Sequence, residues 1–516
     1  MGDRSMLVRS GRSDGWTLLA ILGLSACFNL TNLGFPFTFH GDEPLKVQFI
    51  QQWTQDFKHP LLMLQLVRGG NLLFDLTNPL DIAILGRALL GLCATVTVFL
   101  SYLLARRSMS ARGALAVAAA VAVAPTLVVH AHYLKEDTIL TTCLIASILC
   151  FFRFVESLSV RSAVWLGLAT GLAFSAHYKA VLLVPLYLMA PFVGMLAPRV
   201  DGEHHAAPDA GESARRTRTF YACLALTGVI AGCVFLAVNW PLLLDPRAFF
   251  TGMLFEADHA QIGHDVPIWG LDYWLGFHLL HSLVPGLGAF ATILAVGGLG
   301  WVVARWRTAP VHDRWLVIYI LVFYFVPEIS PLKPWPDFSR YMLPVVPPLL
   351  YFAWKGTEAV AMQFRNSGPR AWILTAGVAA LVLLPAYMSV RLVSGLADDT
   401  RAQAAAWLES HPGATIFETY SGEGTSVRSV VELDPAEWRA KGVDYLVASS
   451  FMFDRYSTGA RLPNRRAEIY RMDARYVDLF TRPYVEFTPA YRTFAFSNPV
   501  IRIVDLREST SREDDR

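Results

Sequence analysis

Long apolar runs separated by short polar turns fill the chain as far as about residue 397. They centre on 16–34, 83–104, 113–132, 138–155, 162–176, 180–197, 219–240, 284–304, 314–327, 341–357 and 371–392. Most approach the roughly 20 residues needed to cross a bilayer core as a helix. The runs at 314–327 and 341–357 are short or rich in proline (Pro344, Pro347, Pro348). The pattern predicts an α-helical polytopic membrane protein with about eleven transmembrane helices over residues 1–397. From residue 398 the pattern changes to that of a soluble domain. Arg401–Ser410, Pro435–Ala440 and Ala467–Phe480 read as helices, and Thr415–Thr419, Val443–Ala448 and Val500–Leu506 as strands. Residues 398–516 thus form a small α/β domain.

Charge gives the runs a direction. Arg106, Arg107 and Arg112, then Arg153 and Arg161, Arg215, Arg216 and Arg218, Arg305, Arg307 and Arg314, and Lys355, Arg365 and Arg370 all fall on one side, together with the N-terminus. Short loops rich in Lys and Arg stay in the cytoplasm. The C-terminal domain is then extracytoplasmic. Arg4, Arg9 and Arg12 precede a long run with no clear cleavage site, so the first run reads as a retained span. Only 17% of residues are charged, against about 25% in soluble proteins. The net charge of +2 gives no electrostatic case for a nucleic-acid partner. All six cysteines lie in apolar segments, which argues against disulfides and a cysteine metal site. His204 and His205 fall in a polar stretch, 198–218, that reads as a flexible connector.

Four clusters of ionisable residues share the outer face. They are Asp42-Glu43, Lys135-Glu136-Asp137, His177-Tyr178-Lys179, and the 328–340 loop with Glu328, Lys333, Asp337 and Arg340. Pro44 favours the first turn of a helix after the acidic pair. Leu45, Phe49, Trp53 and Phe57 recur every four residues, as on a helix lying along the membrane surface. Asp42 or Glu43 serves either as a cap for that helix or as a site carboxylate, and the local sequence supports both. Lys135 and Lys179 equally suit interfacial anchoring. His259 and His264, in the long 241–283 segment, are lone histidines and carry little signal.

Several stretches resemble the GT-C membrane glycosyltransferases, in particular the protein O-mannosyltransferase-like and lipid A aminoarabinose transferase-like branches. These are Asp42-Glu43 with Asp56-Phe57-Lys58-His59-Pro60, Gly86-Arg87-Ala88-Leu89-Leu90-Gly91, and Gly167-Leu168-Ala169-Thr170-Gly171 running into His177-Tyr178-Lys179. Ser339-Arg340-Tyr341-Met342-Leu343-Pro344 is a further one. Asp444-Tyr445-Leu446-Val447 and Asn498-Pro499-Val500-Ile501-Arg502-Ile503 are similar to the external domain of bacterial members. The resemblance covers nearly the whole chain and departs at Lys135, where the family commonly has Arg two residues before the second-loop Asp. It implies the GT-C fold, a bacterial cytoplasmic (inner) membrane location and transfer of a sugar from a polyprenyl-phosphate donor. The acceptor is a hydroxyl on a protein, glycolipid or cell-envelope glycan. By the same resemblance Asp42 is the base with Glu43 beside it, and Glu136 and Asp137 orient the acceptor or hold a metal. Lys179, Lys333 and Arg340 meet the leaving phosphate, with His59, Lys135 and Tyr341 in support. Adjacent carboxylates suit a hard divalent cation such as Mg2+ or Mn2+, but no spacing requires one. A transporter or flippase for a lipid-linked substrate is the alternative, with the outer acids as an ion relay; a non-catalytic scaffold is a third reading.

Overall fold

The computed structural model describes residues 12–196, 210–263, 266–333, 337–364, 369–462, 466–495 and 497–507. His204, His205, His264 and the Pro334–Pro336 run lie outside them. In chain order the helices are α1 Arg12–Leu30, α2 Glu43–Gln52, α3 Leu62–Phe74, α4 Pro79–Arg106, α5 Ala111–Ala122, α6 Pro125–Ala131, α7 Glu136–Ser157, α8 Val160–Ala176, α9 Leu183–Leu188, α10 Ala210–Val238 and α11 Pro246–Ile262. They continue as α12 Val284–Leu287, α13 Ala289–Ala304, α14 Val311–Ile329, α15 Val346–Gln363, α16 Pro369–Val378 and α17 Leu384–Ala397. Every apolar run expected to span contains a helix. Among the described residues, Pro79–Arg106, Glu136–Ser157, Gly211–Val238 and Pro369–Ser410 are long and apolar enough to cross a membrane unaided. The α5–α6 pair passes the same test with a 52° bend before Pro125. Proline removes a helical hydrogen bond there and crowds the preceding turn.

Close approach is written into the sequence at two glycines. Gly167 and Gly171 lie one turn apart on α8 and face α10. A Cβ on Gly167 would sit 2.7 Å from the Ile230 Cβ, and one on Gly171 would sit 2.6 Å from the Val234 Cβ. Small residues four apart let membrane helices pack backbone to backbone. Hence α8 and the 3₁₀ turn after it, which carries Lys179, are fixed against the bundle.

After a break at Asp398–Asp399 come α18 Thr400–Ser410, β1 Thr415–Glu418, β2 Ser426–Val427, α19 Pro435–Ala440, β3 Tyr445–Ser449, α20 Ser450–Ala460, α21 Ala467–Leu479, β4 Tyr484–Phe487 and β5 Ile501–Asp505. The sheet order is β2-β1-β3-β5-β4. β1 pairs parallel with β2 and β3, while β5 pairs antiparallel with β3 and β4. Every residue of β3 is buried, as expected of a central strand covered on both faces. The domain is clamped onto the helical part. Arg401 pairs with Asp399 at 2.7 Å and donates to the Phe39 carbonyl at 2.7 Å, three residues before Asp42.

Candidate active site

Asp42 opens α2 but does not cap it: its side chain makes no hydrogen bond to the first-turn amides. It pairs instead with the Lys135 ammonium, brought in from the turn before α7. The Asp42 side chain is 49% exposed and Lys135 only 5%, so the carboxylate presents an open edge to the cavity. Burial opposes the charge on Asp42. Lys135, with His40, Arg340 and Lys46, more than offsets that and holds the carboxyl well below its usual range.

Its neighbour has a different fate. Glu43 is buried inside the bundle, where it accepts from the Arg87 Nε at 3.1 Å and the Leu134 amide at 2.6 Å, with a second bond from Arg87 Nη2. Arg87 also donates to the carbonyls of Leu33 and Phe35, at 2.6 and 2.8 Å. All this capacity goes into closing the bundle, and Glu43 does not line the cavity. The two carboxylates expected to act together are therefore separated: Asp42 lines the cavity, and Glu43 is engaged by Arg87 and the Leu134 amide inside the bundle. A helix turns about 100° per residue, so neighbours at a helix start point in different directions.

Asp137 sits between two cations, Lys179 at 3.3 Å and Arg340 at 3.4 Å. Glu136 pairs with Lys46, which is buried on α2. The apolar stripe expected through Phe57 is broken, because α2 ends at Gln52: Leu45 and Trp53 are exposed, Phe57 is buried, and Leu45 and Phe49 line the cavity, while Glu43, Lys46, Val47 and Ile50 form the buried face of the helix. Arg340 is set by the 3₁₀ segment Asp337–Val345, whose Ser339 is hydrogen-bonded to His130 at 2.9 Å. The Lys179 ammonium also lies 3.9 Å from the Tyr341 ring centroid, a cation–π contact.

These groups line a single cavity of about 550 Å³, with His59 and His177, whose ring centroids are 5.0 Å apart. Burial lowers the pKa of His59 to about 4, so its imidazole is neutral near pH 7. Lys333, expected on the phosphate, is elsewhere. It is buried and donates to the carbonyls of Ile268 and Glu328 at 2.9 and 2.8 Å, and to that of Ser330. This satisfies its three N–H bonds and leaves none for a ligand. The acids proposed for a metal are similarly engaged. Glu136 is paired with Lys46, and Asp137 with Lys179 and Arg340, a donor set that fits a divalent ion poorly. Among the described residues, no three His, Cys, Asp or Glu side chains are placed to share a metal.

Several lining residues carry no role assigned from sequence. Lys58 and Glu256 reach the cavity from the loop before α3 and from α11, and Tyr420 and Arg455 come from the C-terminal domain. Tyr420 has a left-handed backbone (φ 69°), which is costly for a non-glycine residue. It lies over Gly41, where a Cβ would come within 2.6 Å of its ring.

A sequence model of the dolichyl-phosphate-mannose-protein mannosyltransferase family matches residues 58–198. No curated protein matches the chain in sequence. Among solved structures, ArnT from Cupriavidus metallidurans bound to undecaprenyl phosphate superposes with a TM-score of 0.53 at 14% identity, over 95% of this chain and 97% of that one. The Archaeoglobus fulgidus oligosaccharyltransferase tethered to an acceptor peptide gives a TM-score of 0.53 at 11% identity, over 95% of this chain and 74% of that one. The same archaeal enzyme, AglB, in complex with an inhibitory peptide and a dolichol-phosphate gives 0.51 at 11%, over 93% and 74%.

Proposed function

We propose that the chain is a GT-C-type membrane glycosyltransferase that moves a sugar from a polyprenyl-phosphate carrier to an acceptor hydroxyl, a reading supported by its likeness in fold to ArnT and the archaeal oligosaccharyltransferase. The observation that carries this reading is the convergence of Lys135, Lys179 and Arg340 with Asp42 in one cavity, at one end of an apolar bundle. A lipid phosphate brings its charge to such a place while its tail stays among the lipids. The bundle end is the extracytoplasmic one, with the N-terminus in the cytoplasm and the C-terminal domain outside, in a bacterial inner membrane. That orientation rests on the distribution of Lys and Arg.

The chemistry follows from the contacts. The acceptor oxygen attacks the anomeric carbon, the bond from that carbon to the phosphate oxygen breaks, and its electron pair leaves on the polyprenyl phosphate. Lys135, Lys179 and Arg340 meet the developing charge, and Arg340 can do so with two parallel bonds. Asp42 takes the acceptor proton. While Lys135 holds it, Asp42 is a weak base. A phosphate that draws Lys135 away raises its basicity, so the donor itself prepares the base. Asp137 holds Lys179 and Arg340 together, and Glu136 holds Lys46. The acceptor is a hydroxyl on a protein, glycolipid or envelope glycan. Support for the carrier comes from the undecaprenyl phosphate and dolichol-phosphate named with the structures of similar fold.

The test is direct. Purified protein in lipid discs is incubated with a panel of polyprenyl-phosphate sugars, and the release of sugar is followed. Release from at least one donor, slowed by a factor on the order of 10²–10⁴ in Asp42→Asn, is expected; no binding and no release across the panel would refute the reading.

A further inference from the structure

One carboxylate of the cavity has no cation of its own. Asp42, Asp56, Glu136 and Asp137 are each in an ion pair. Glu256, on α11, lines the same cavity and makes no ion pair or hydrogen bond among the described residues. Its helix is firmly seated. Gly252, one turn earlier, packs so closely on the backbone of Asp56 and Phe57 that a Cβ would lie 2.3 Å from the Asp56 carbonyl oxygen. The Ser330 hydroxyl donates to the Ala260 carbonyl, one turn later, at 2.6 Å. The backbone that carries Glu256 is therefore held against the cavity wall. Glu256 shares the cavity lining with Lys135, Arg340 and Lys179; burial raises its pKa, while these three cations pull the other way.

The proposed reaction creates a charge problem at that spot. The donor is a phosphodiester with one negative charge. The product carrier is a phosphomonoester with nearly two at neutral pH, since its second pKa is about 6. The same cations thus hold the product more tightly than the substrate, and product release is a common limit on turnover. Building on the reading above, we propose that Glu256 is the group that expels the used carrier. Its unpaired carboxylate competes with the polyprenyl phosphate for Lys135, Lys179 and Arg340, and repels the dianionic product more than the monoanionic donor. No bond is made or broken in this step; the lipid phosphate leaves the cations and returns to the bilayer.

The test uses the full chain in lipid discs at pH 8, with two probes. Undecaprenyl phosphate carries the product's charge, and its monomethyl ester carries the donor's. Glu256→Gln removes the charge and keeps the size. It is expected to bind undecaprenyl phosphate about 3–10-fold more tightly than the wild type, and the methyl ester only about 2–3-fold more tightly, because the Coulomb effect scales with ligand charge. Asp258→Asn, an exposed carboxylate on the same helix, controls for net charge and is expected to change neither. Unchanged affinity in Glu256→Gln, equal tightening for both lipids, or the same tightening in Asp258→Asn would each overturn the assignment. If the wild type binds neither lipid, the carrier reading falls instead, so the two failures are distinct.

Discussion

The Lys135 ammonium rests on the Asp42 carboxylate, joining residues 93 apart in the chain. The pair links the turn before α2 to the turn before α7, and it separates two roles that the sequence left open for Asp42. The side chain caps nothing, and an Asn oxygen at the half-exposed position still accepts from Lys135, so Asp42→Asn leaves α2 intact and the protein folded. Turnover falls by a factor on the order of 10²–10⁴, the usual worth of a positioned base. Sugar transfer and lipid-phosphate binding, measured separately, check this; native turnover in the Asn variant would remove Asp42 from the chemistry.

Glu43 behaves in the opposite way. Glu43→Ala leaves Arg87 charged and unpaired in the bundle, at a cost of about 3–5 kcal/mol. The expected outcome is poor recovery of folded protein and a large drop in thermal midpoint in detergent. Replacing both partners, Glu43→Leu with Arg87→Met, restores part of the stability. The recovery is partial because the Leu134 amide and the Leu33 and Phe35 carbonyls lose their partners as well.

Arg340 and Lys333 part company on phosphate binding. Arg340→Ala weakens binding of undecaprenyl phosphate and lowers turnover, and Arg340→Lys recovers only a portion, since the two-pronged geometry is lost. Lys333→Met leaves the affinity as it was and reduces stability, because three carbonyls lose their donor. Equilibrium binding beside thermal unfolding tells these apart. Full activity in both Arg340 variants would make that residue an interfacial anchor.

The C-terminal domain carries a pH dependence of its own. Glu418 is buried beside Tyr476, and burial raises its pKa to about 7, against the counteracting hydrogen bonds of Tyr476, Ser449 and Val430. The folded state therefore holds this proton more tightly than the unfolded chain, whose carboxyl titrates near 4.3. Stability from this group is fully present below about 4.3 and is lost as pH rises through about 7. Hydrogen exchange of the β1 and β3 amides, corrected for intrinsic rates, should show the domain loosening between those limits. Tyr476→Phe removes a donor that favours the charged carboxylate, so the loss moves to higher pH.

The helices of the N-terminal part were legible because a run of some twenty apolar residues has few other uses. In the C-terminal domain, the strands near Thr415, Tyr445 and Ile501 announced themselves through β-branched and aromatic runs. β4 is half-exposed at the sheet edge and β2 is two residues long, so neither offers a pattern. α20 left a signal that went unread, Ser449 as N-cap with its side chain accepting from the Phe451 amide. In the site, sequence located the acidic pair but had no means of dividing Asp42 from Glu43, which depends on the partners each meets. Lys333 and Arg340 look alike in one loop, and only the folded chain brings the carbonyls of Ile268, Glu328 and Ser330 around one of them. Glu256 sits among unremarkable neighbours on α11, and its distinction is that no described residue pairs with it.

Tyr420 over Gly41 and Arg401 on the Phe39 carbonyl set an order of assembly. The ribosome makes the turn that carries Asp42 early, whereas Arg401 follows 362 residues later, roughly tens of seconds at ordinary synthesis rates. A nascent chain inserted as far as Ala397 already contains Asp42, Lys135, Lys179 and Arg340. The turn that carries Asp42 still has no roof, so the cavity is finished by the chain closing on its own beginning.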